Sequence, residues 1–124
     1  MATTSIGSSG VTFPDSSTQA SSSGVAKAWV NYKGTSTRAI NASYNISSVT
    51  FNATGDYTLN FTNAFADANY CSTFGASAQS GVNSLVGAIS LDTAPTASAL
   101  RFQTKQMNTA ANTDATVATV AIFR

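Results

Sequence analysis

Residues 47–70, SSVTFNATGDYTLNFTNAFADANY, decide how this chain is read. Val49 and Phe51 alternate with Ser48 and Thr50, and beyond them Tyr57, Leu59 and Phe61 alternate with Thr58 and Asn60. A period of two is that of a strand with one buried face. Between the two runs lies Asn52-Ala-Thr-Gly-Asp56, a cluster of turn-forming residues, so the segment predicts an antiparallel hairpin.

The same period continues through the rest of the chain. From Ala26 onward no 11-residue window shows a helical repeat, and strands are expected at 26–33, 37–42, 46–51, 57–62, 70–76, 84–91, 97–104 and 115–124. Gly34, residues 52–56, 64–69, 77–83, 92–96 and 105–114 punctuate them. Short strands at this regular spacing predict an all-β fold, a small antiparallel β-sandwich or barrel. In the first strand Ala26, Ala28, Val30 and Tyr32 share one face, while Trp29 shares the other with Lys27 and Asn31. A lone large aromatic on the more polar face points to a subunit interface, with cover by a neighbouring loop as the alternative. Up-and-down connections would gather the loops at 33–36, 52–56, 77–83 and 105–114 at one end. The loops at 43–45, 64–69 and 92–96 would gather at the other.

Composition narrows the function. The chain has 124 residues, no His, no Glu, and a formal net charge of +1, with only 9% charged residues. No basic stripe exists to neutralise a phosphate backbone, so nucleic-acid binding is not expected. No apolar run has membrane-spanning length, and the first twenty residues lack the basic start and apolar middle of a signal peptide, so synthesis in a cytoplasm is expected. Cys71 is the single cysteine, which excludes an intrachain disulfide; beside Tyr70 it is expected as a buried or half-buried strand residue. Leu, Ile, Val and Phe number 24 of 124, close to the roughly one-fifth level below which folding becomes difficult, but the low net charge argues against disorder. A folded β protein with so little private core gains from burying apolar surface against copies of itself.

Residues 1–25 differ in character from the remaining residues. They are mostly Ser, Thr, Gly and Ala, with Ile6, Val11, Phe13 and Val25 as the large apolar groups. They cannot build a core, so an extended N-terminal arm over 1–25 and a β-rich knob domain over 26–124 are expected.

Four short motifs in fixed order carry a family resemblance. Trp29-Val-Asn-Tyr-Lys-Gly34, Ser43-Tyr-Asn-Ile-Ser-Ser48, Gly55-Asp-Tyr-Thr-Leu-Asn-Phe61 and Asp67-Ala-Asn-Tyr70 resemble a segment of many bacteriophage tail-fibre proteins. Gly10-Val-Thr-Phe-Pro-Asp-Ser-Ser-Thr-Gln19 resembles a segment those proteins carry just before a trimeric domain, with Ser16 where the family usually has Gly. The resemblance spans about Gly10 to Ala76. It implies a homotrimeric C-terminal knob of a virion fibre, made in the host cytoplasm and located on the virion. It also implies attachment to another virion protein through the arm, where Val11, Phe13 and Pro14 are the apolar anchors.

Catalysis is not expected. Without His there is no Ser-His-acid or Cys-His system and no ordinary zinc site. Asp15, Asp56, Asp67, Asp92 and Asp114 are scattered in turn sequences, where Asp usually serves the backbone. No cofactor or metal is implied. The longest polar connection, 105–114, offers Lys105, Gln106, Asn108, Asn112 and Asp114 as donors and acceptors for a host cell-surface glycan. The expected function is therefore a non-enzymatic phage structural protein, a fibre knob for host attachment. A capsid decoration protein of the same fold is the alternative, and a polysaccharide depolymerase a remote one.

Overall fold

The computed structural model describes residues 5–7, 10–12, 14, 18–19, 25–78, 80–81 and 84–124. Eleven strands run in order: β1 (Ser5–Gly7), β2 (Gly10–Thr12), β3 (Thr18–Gln19), β4 (Ala28–Lys33), β5 (Ala39–Tyr44), β6 (Ile46–Ala53), β7 (Asp56–Phe61), β8 (Cys71–Ser77), β9 (Leu85–Ile89), β10 (Ala99–Gln106) and β11 (Val117–Phe123). No helix occurs among the described residues. The chain is all-β. Strands β4 to β11 form two antiparallel four-stranded sheets, ordered β5-β4-β11-β8 and β6-β7-β10-β9.

Each of the eight strands expected from residue 26 onward is present, with shifted ends. The strand expected at 37–42 runs instead to Tyr44, because the break falls at Asn45, which takes φ +57. Asn is among the few side chains that enter this left-handed region readily. The hairpin turn is tighter than its sequence suggests: Ala53 pairs with Asp56, leaving Thr54-Gly55, with Gly55 at φ +63.

The alternation seen in the sequence becomes the inner faces of the sheets. Val30 and Tyr32 of β4 and Val120 and Ile122 of β11 meet Tyr57 and Leu59 of β7 and Leu100 and Phe102 of β10 in one buried cluster. Tyr57 is central, with the Tyr32 ring edge-on at 5.3 Å from the opposite sheet and the Phe102 ring at 5.3 Å from its own. Each such side chain contributes about 1.5–3 kcal/mol by leaving water. At one flank the sheets meet closely: a Cβ on Gly87 of β9 would lie 2.6 Å from the Phe74 Cβ of β8, so only glycine permits this approach.

Contacts also sort the loops into two ends. Gly34 N–H donates to Ala115 O, Gly55 N–H to Asp114, Met107 N–H to Ser84 O and Thr116 N–H to Ser77 O, which gathers one set. Thr62 N–H donates to Asn45 O and Phe65 N–H to Ala97 O, and Arg124 pairs with Asp67, which gathers the other. Strands β1, β2 and β3 pair antiparallel with one another, so locally extended backbone in the first 25 residues folds back on itself. Val11 lies in β2 and Pro14 in an exposed turn, while Phe13 lies outside the described residues. Cys71, expected buried or half-buried, is exposed, because it starts an edge strand on the outer face.

Candidate functional site

The end carrying residues 105–114 is a closed hairpin. Strand β10 continues to Gln106, whose N–H donates to Ala111 O (2.9 Å), and Ala110 N–H donates back to Gln106 O (2.9 Å). Lys105 bridges to Asn112, and Thr104 Oγ1 donates to Thr113 O at 2.6 Å. Residues 107–111 are the exposed tip.

The five residues assigned to this loop from sequence therefore do not act alike. Asn108 stands free at the tip; Gln106 is half-buried and accepts from Thr109 Oγ1 at 3.2 Å. Lys105 and Asn112 are half-buried partners in the bridge. Asp114 points into the fold. Its Oδ1 accepts from Tyr57 Oη (2.6 Å) and Gly55 N–H (2.7 Å), and its Oδ2 accepts from Arg38 (2.8 Å). Burial pushes this carboxyl up, but the bonds from Tyr57, Gly55 and Arg38 together hold it below the usual carboxylate range. Burial, followed by the bond to Asp114, raises the Tyr57 phenol well above its ordinary value. Asp114 thus ties the loop to the hairpin turn and to the core.

A second carboxylate is spent in the same way on the outer face of the β6-β7-β10-β9 sheet. Asp56 is 4% exposed and receives two bonds from Arg101, Nε to Oδ1 and Nη2 to Oδ2, both 2.8 Å. Gln103 Nε2 (3.1 Å) and Asn52 Nδ2 (3.1 Å) add to it, and Arg101 also reaches Thr93 Oγ1 at 3.1 Å. The bonds from Arg101 outweigh burial and hold the Asp56 carboxyl at about 2. Asp67 accepts from Arg124 and from Asn69 N–H, and these bonds lower it also. Asp15 lies outside the described residues. No group of three His, Cys, Asp or Glu side chains able to hold a metal occurs among the described residues.

The outer face of the other sheet holds Trp29, 39% exposed. Trp29 borders a groove of about 410 Å³ whose lining includes Asn31, Thr73, Gly75, Thr119 and Ala121. Tyr44, 59% exposed, sits directly across from Trp29 in the β4–β5 register. Groove and aromatic pair together make an uncharged surface of small, hydroxylated and aromatic groups. A smaller hollow of about 290 Å³ at the opposite end from residues 105–114 is lined by Lys27, Tyr44, Asn45, Asn63, Phe65 and Arg124.

Three residues organise the fold in roles that sequence reasoning did not assign, although Asn45 and Tyr70 lie within the motifs quoted above. Asn45 clasps the crossing between sheets: its amide donates to Lys27 O and Asn63 O, and its Oδ1 accepts from Asn63 N–H. Tyr70 donates from its hydroxyl to Thr96 O and Ala99 O and packs its ring on Phe61 and Phe65. Arg38 binds Asp114 and lies 3.6 Å above the Phe51 ring. An isolated Asn between two alternating runs is a signal that could have located the first; nothing local marks Arg38, whose partners are 76 and 13 positions away. Comparison of the chain with protein-family models, with curated proteins and with solved structures finds no match.

Proposed function

We propose that this chain is a non-enzymatic structural protein of a bacteriophage virion, a homotrimeric β-sandwich knob of the tail-fibre kind. Residues 1–25 attach it to another virion protein, and the hairpin end turns outward to contact a host cell-surface glycan. One observation carries the reading: residues of the four tail-fibre-like motifs hold the corners of this fold. Trp29–Lys33 is a central strand, Asn45 clasps the crossing between sheets, Gly55 makes the hairpin turn, and Asp67 and Tyr70 fasten the last strand and the return loop. A shared order of corner residues is what a shared scaffold requires, and a rigid β scaffold with exposed loop tips suits attachment. The chemistry agrees. Asp56, Asp67 and Asp114 are each committed to an arginine, which leaves them poor proton carriers near neutral pH.

Imaging virions that carry a labelled copy of the chain tests this directly. Label at a fibre or tail tip supports the proposal; label over the head lattice replaces it with the decoration-protein reading. Deleting residues 1–25 should leave the knob folded and unattached. Release of reducing sugar from host polysaccharide would remove the non-enzymatic part.

A further inference from the structure

Alternation along β4 sets Trp29, Asn31 and Lys33 in a row on its outer face, and Lys27, one position before the strand, extends the row to the hollow beside Tyr44. The four strands of this sheet, β4, β5, β8 and β11, contain no Asp or Glu. No ion pair engages Lys27 or Lys33 among the described residues, where Asp56, Asp67 and Asp114 are taken by Arg101, Arg124 and Arg38 and Asp92 follows β9 in the other sheet. Two unmatched cations therefore flank the Trp29 groove, about 20 Å apart at the rise of an extended strand. Between them the surface is neutral and polar. Asn41 Nδ2 donates to Asn31 Oδ1 at 2.9 Å, which fixes both amides and leaves Asn31 Nδ2 to donate and Asn41 Oδ1 to accept. Thr73 and Thr119, both exposed, bring hydroxyls to the other side of the groove.

We infer that this face binds an acidic saccharide chain, with sugar rings stacked on Trp29 and Tyr44 and carboxylates reaching Lys27 and Lys33. Each part of such a ligand has a counterpart here. The C–H faces of pyranose rings need exposed aromatic rings, and Trp29 and Tyr44 stand exposed and opposite each other in the β4–β5 register. Sugar hydroxyls need donors and acceptors spread over a shallow floor, which the Asn31–Asn41 pair, Thr73 and Thr119 supply around Gly75. Carboxylates repeated along a chain need separated cations, and the two lysines meet no competing acid on the face. A nucleic acid fits less well: two lysines neutralise few phosphates, and no succession of aromatic side chains follows β4 to stack consecutive bases. A second copy of the chain fits less well too, because of its described carboxylates only Asp92 lacks an ion pair and could answer the lysines. The site uses none of residues 105–114 and rests on the chemistry of the sheet face alone. It gives Trp29 a ligand in place of the subunit contact expected from sequence.

Trp29 is the single tryptophan, so its fluorescence reports on this face directly. The full chain, in the assembly it forms, is titrated with oligogalacturonate, with neutral maltohexaose and with single-stranded oligothymidylate, and calorimetry follows the same titrations. Oligogalacturonate should change the Trp29 emission and bind about tenfold more tightly than maltohexaose, and salt raised from about 0.1 to about 1 M should weaken it. Lys27→Ala combined with Lys33→Ala should lower its affinity about tenfold or more, and Trp29→Ala should remove the calorimetric signal, with unfolding curves confirming that these variants fold. Gln106→Ala combined with Asn108→Ala should bind as wild type does. Equal binding of maltohexaose, or binding that survives loss of both lysines, overturns the acidic class, and tighter binding of oligothymidylate overturns the saccharide. No binding of oligogalacturonate at millimolar concentration, or loss of binding in the Gln106 and Asn108 variant, overturns the site. Protection of Trp29 from acrylamide quenching in the unliganded protein overturns it as well, since the face is then covered by another copy.

Discussion

Replacing Asp56 with Asn removes a buried charge that Arg101 engages at two oxygens, each 2.8 Å away. The carboxyl falls from its ordinary 3.8 to about 2 in the fold. That difference is worth roughly 2.4 kcal/mol of stability at neutral pH. Because the folded value is the lower one, the contribution is complete above about pH 5 and is lost as pH falls through the folded value, leaving about 0.4 kcal/mol at pH 2. Urea unfolding of wild type and Asp56→Asn at pH 7 should therefore differ by about 2–3 kcal/mol. At a slope of about 2 kcal/mol/M this is a midpoint shift of ~1.2 M. At pH 2 and the same protein concentration the two curves should nearly coincide. A loss below about 1 kcal/mol at pH 7, or an equal loss at both pH values, would refute the assignment of the stabilisation to the ionised pair.

Gly55→Ala should destabilise by more than the 1–2 kcal/mol typical of a left-handed residue, since the new Cβ would also lie 2.4 Å from Thr113 N and 2.6 Å from Thr104 O; thermal unfolding measures it. Tyr57→Phe removes a 2.6 Å hydroxyl bond to Asp114 and should cost about 1.5–3 kcal/mol, while Asp114 moves back up toward its ordinary value in a carboxyl NMR titration. Leu59→Ala, at a fully buried position, should cost about 2–5 kcal/mol in the same unfolding assay. Gln106→Ala combined with Asn108→Ala should lower virion adsorption to cells without changing the melting temperature, because neither side chain holds a core contact; unchanged adsorption moves the receptor contact to another loop or favours the head-decoration reading.

Period-two alternation was legible in the sequence because the central strands turn alternate residues into the core. Val30 and Tyr32 lie in the core while Trp29 lies outside it, and Tyr57, Leu59 and Phe61 all point inward, as the pattern around Gly55 indicates. The grouping of loops at two ends was legible too, since antiparallel strands that alternate in direction leave successive loops at alternate ends. The use of the polar residues was not. Asp114 looks in sequence like one more loop carboxylate. Its partners Gly55, Tyr57 and Arg38 stand 59, 57 and 76 positions away, and only the packing of the sheets brings them within 3 Å. Asp56 resembles an ordinary turn residue, yet strand pairing with β10 places it opposite Gln103 and beside Arg101.

The sequence by itself determined that the chain is all-β and roughly where strands β4 to β11 lie, because alternation and turn chemistry are local properties written in neighbouring residues. Tertiary structure alone decided which strands stand at the edges, and therefore that all four edge strands of these two sheets lack a charged residue. It also decided which polar side chains are consumed by the scaffold and which, like Asn108, remain at the surface. Burial and long-range hydrogen bonding depend on residues far apart in the chain, and no local window contains them.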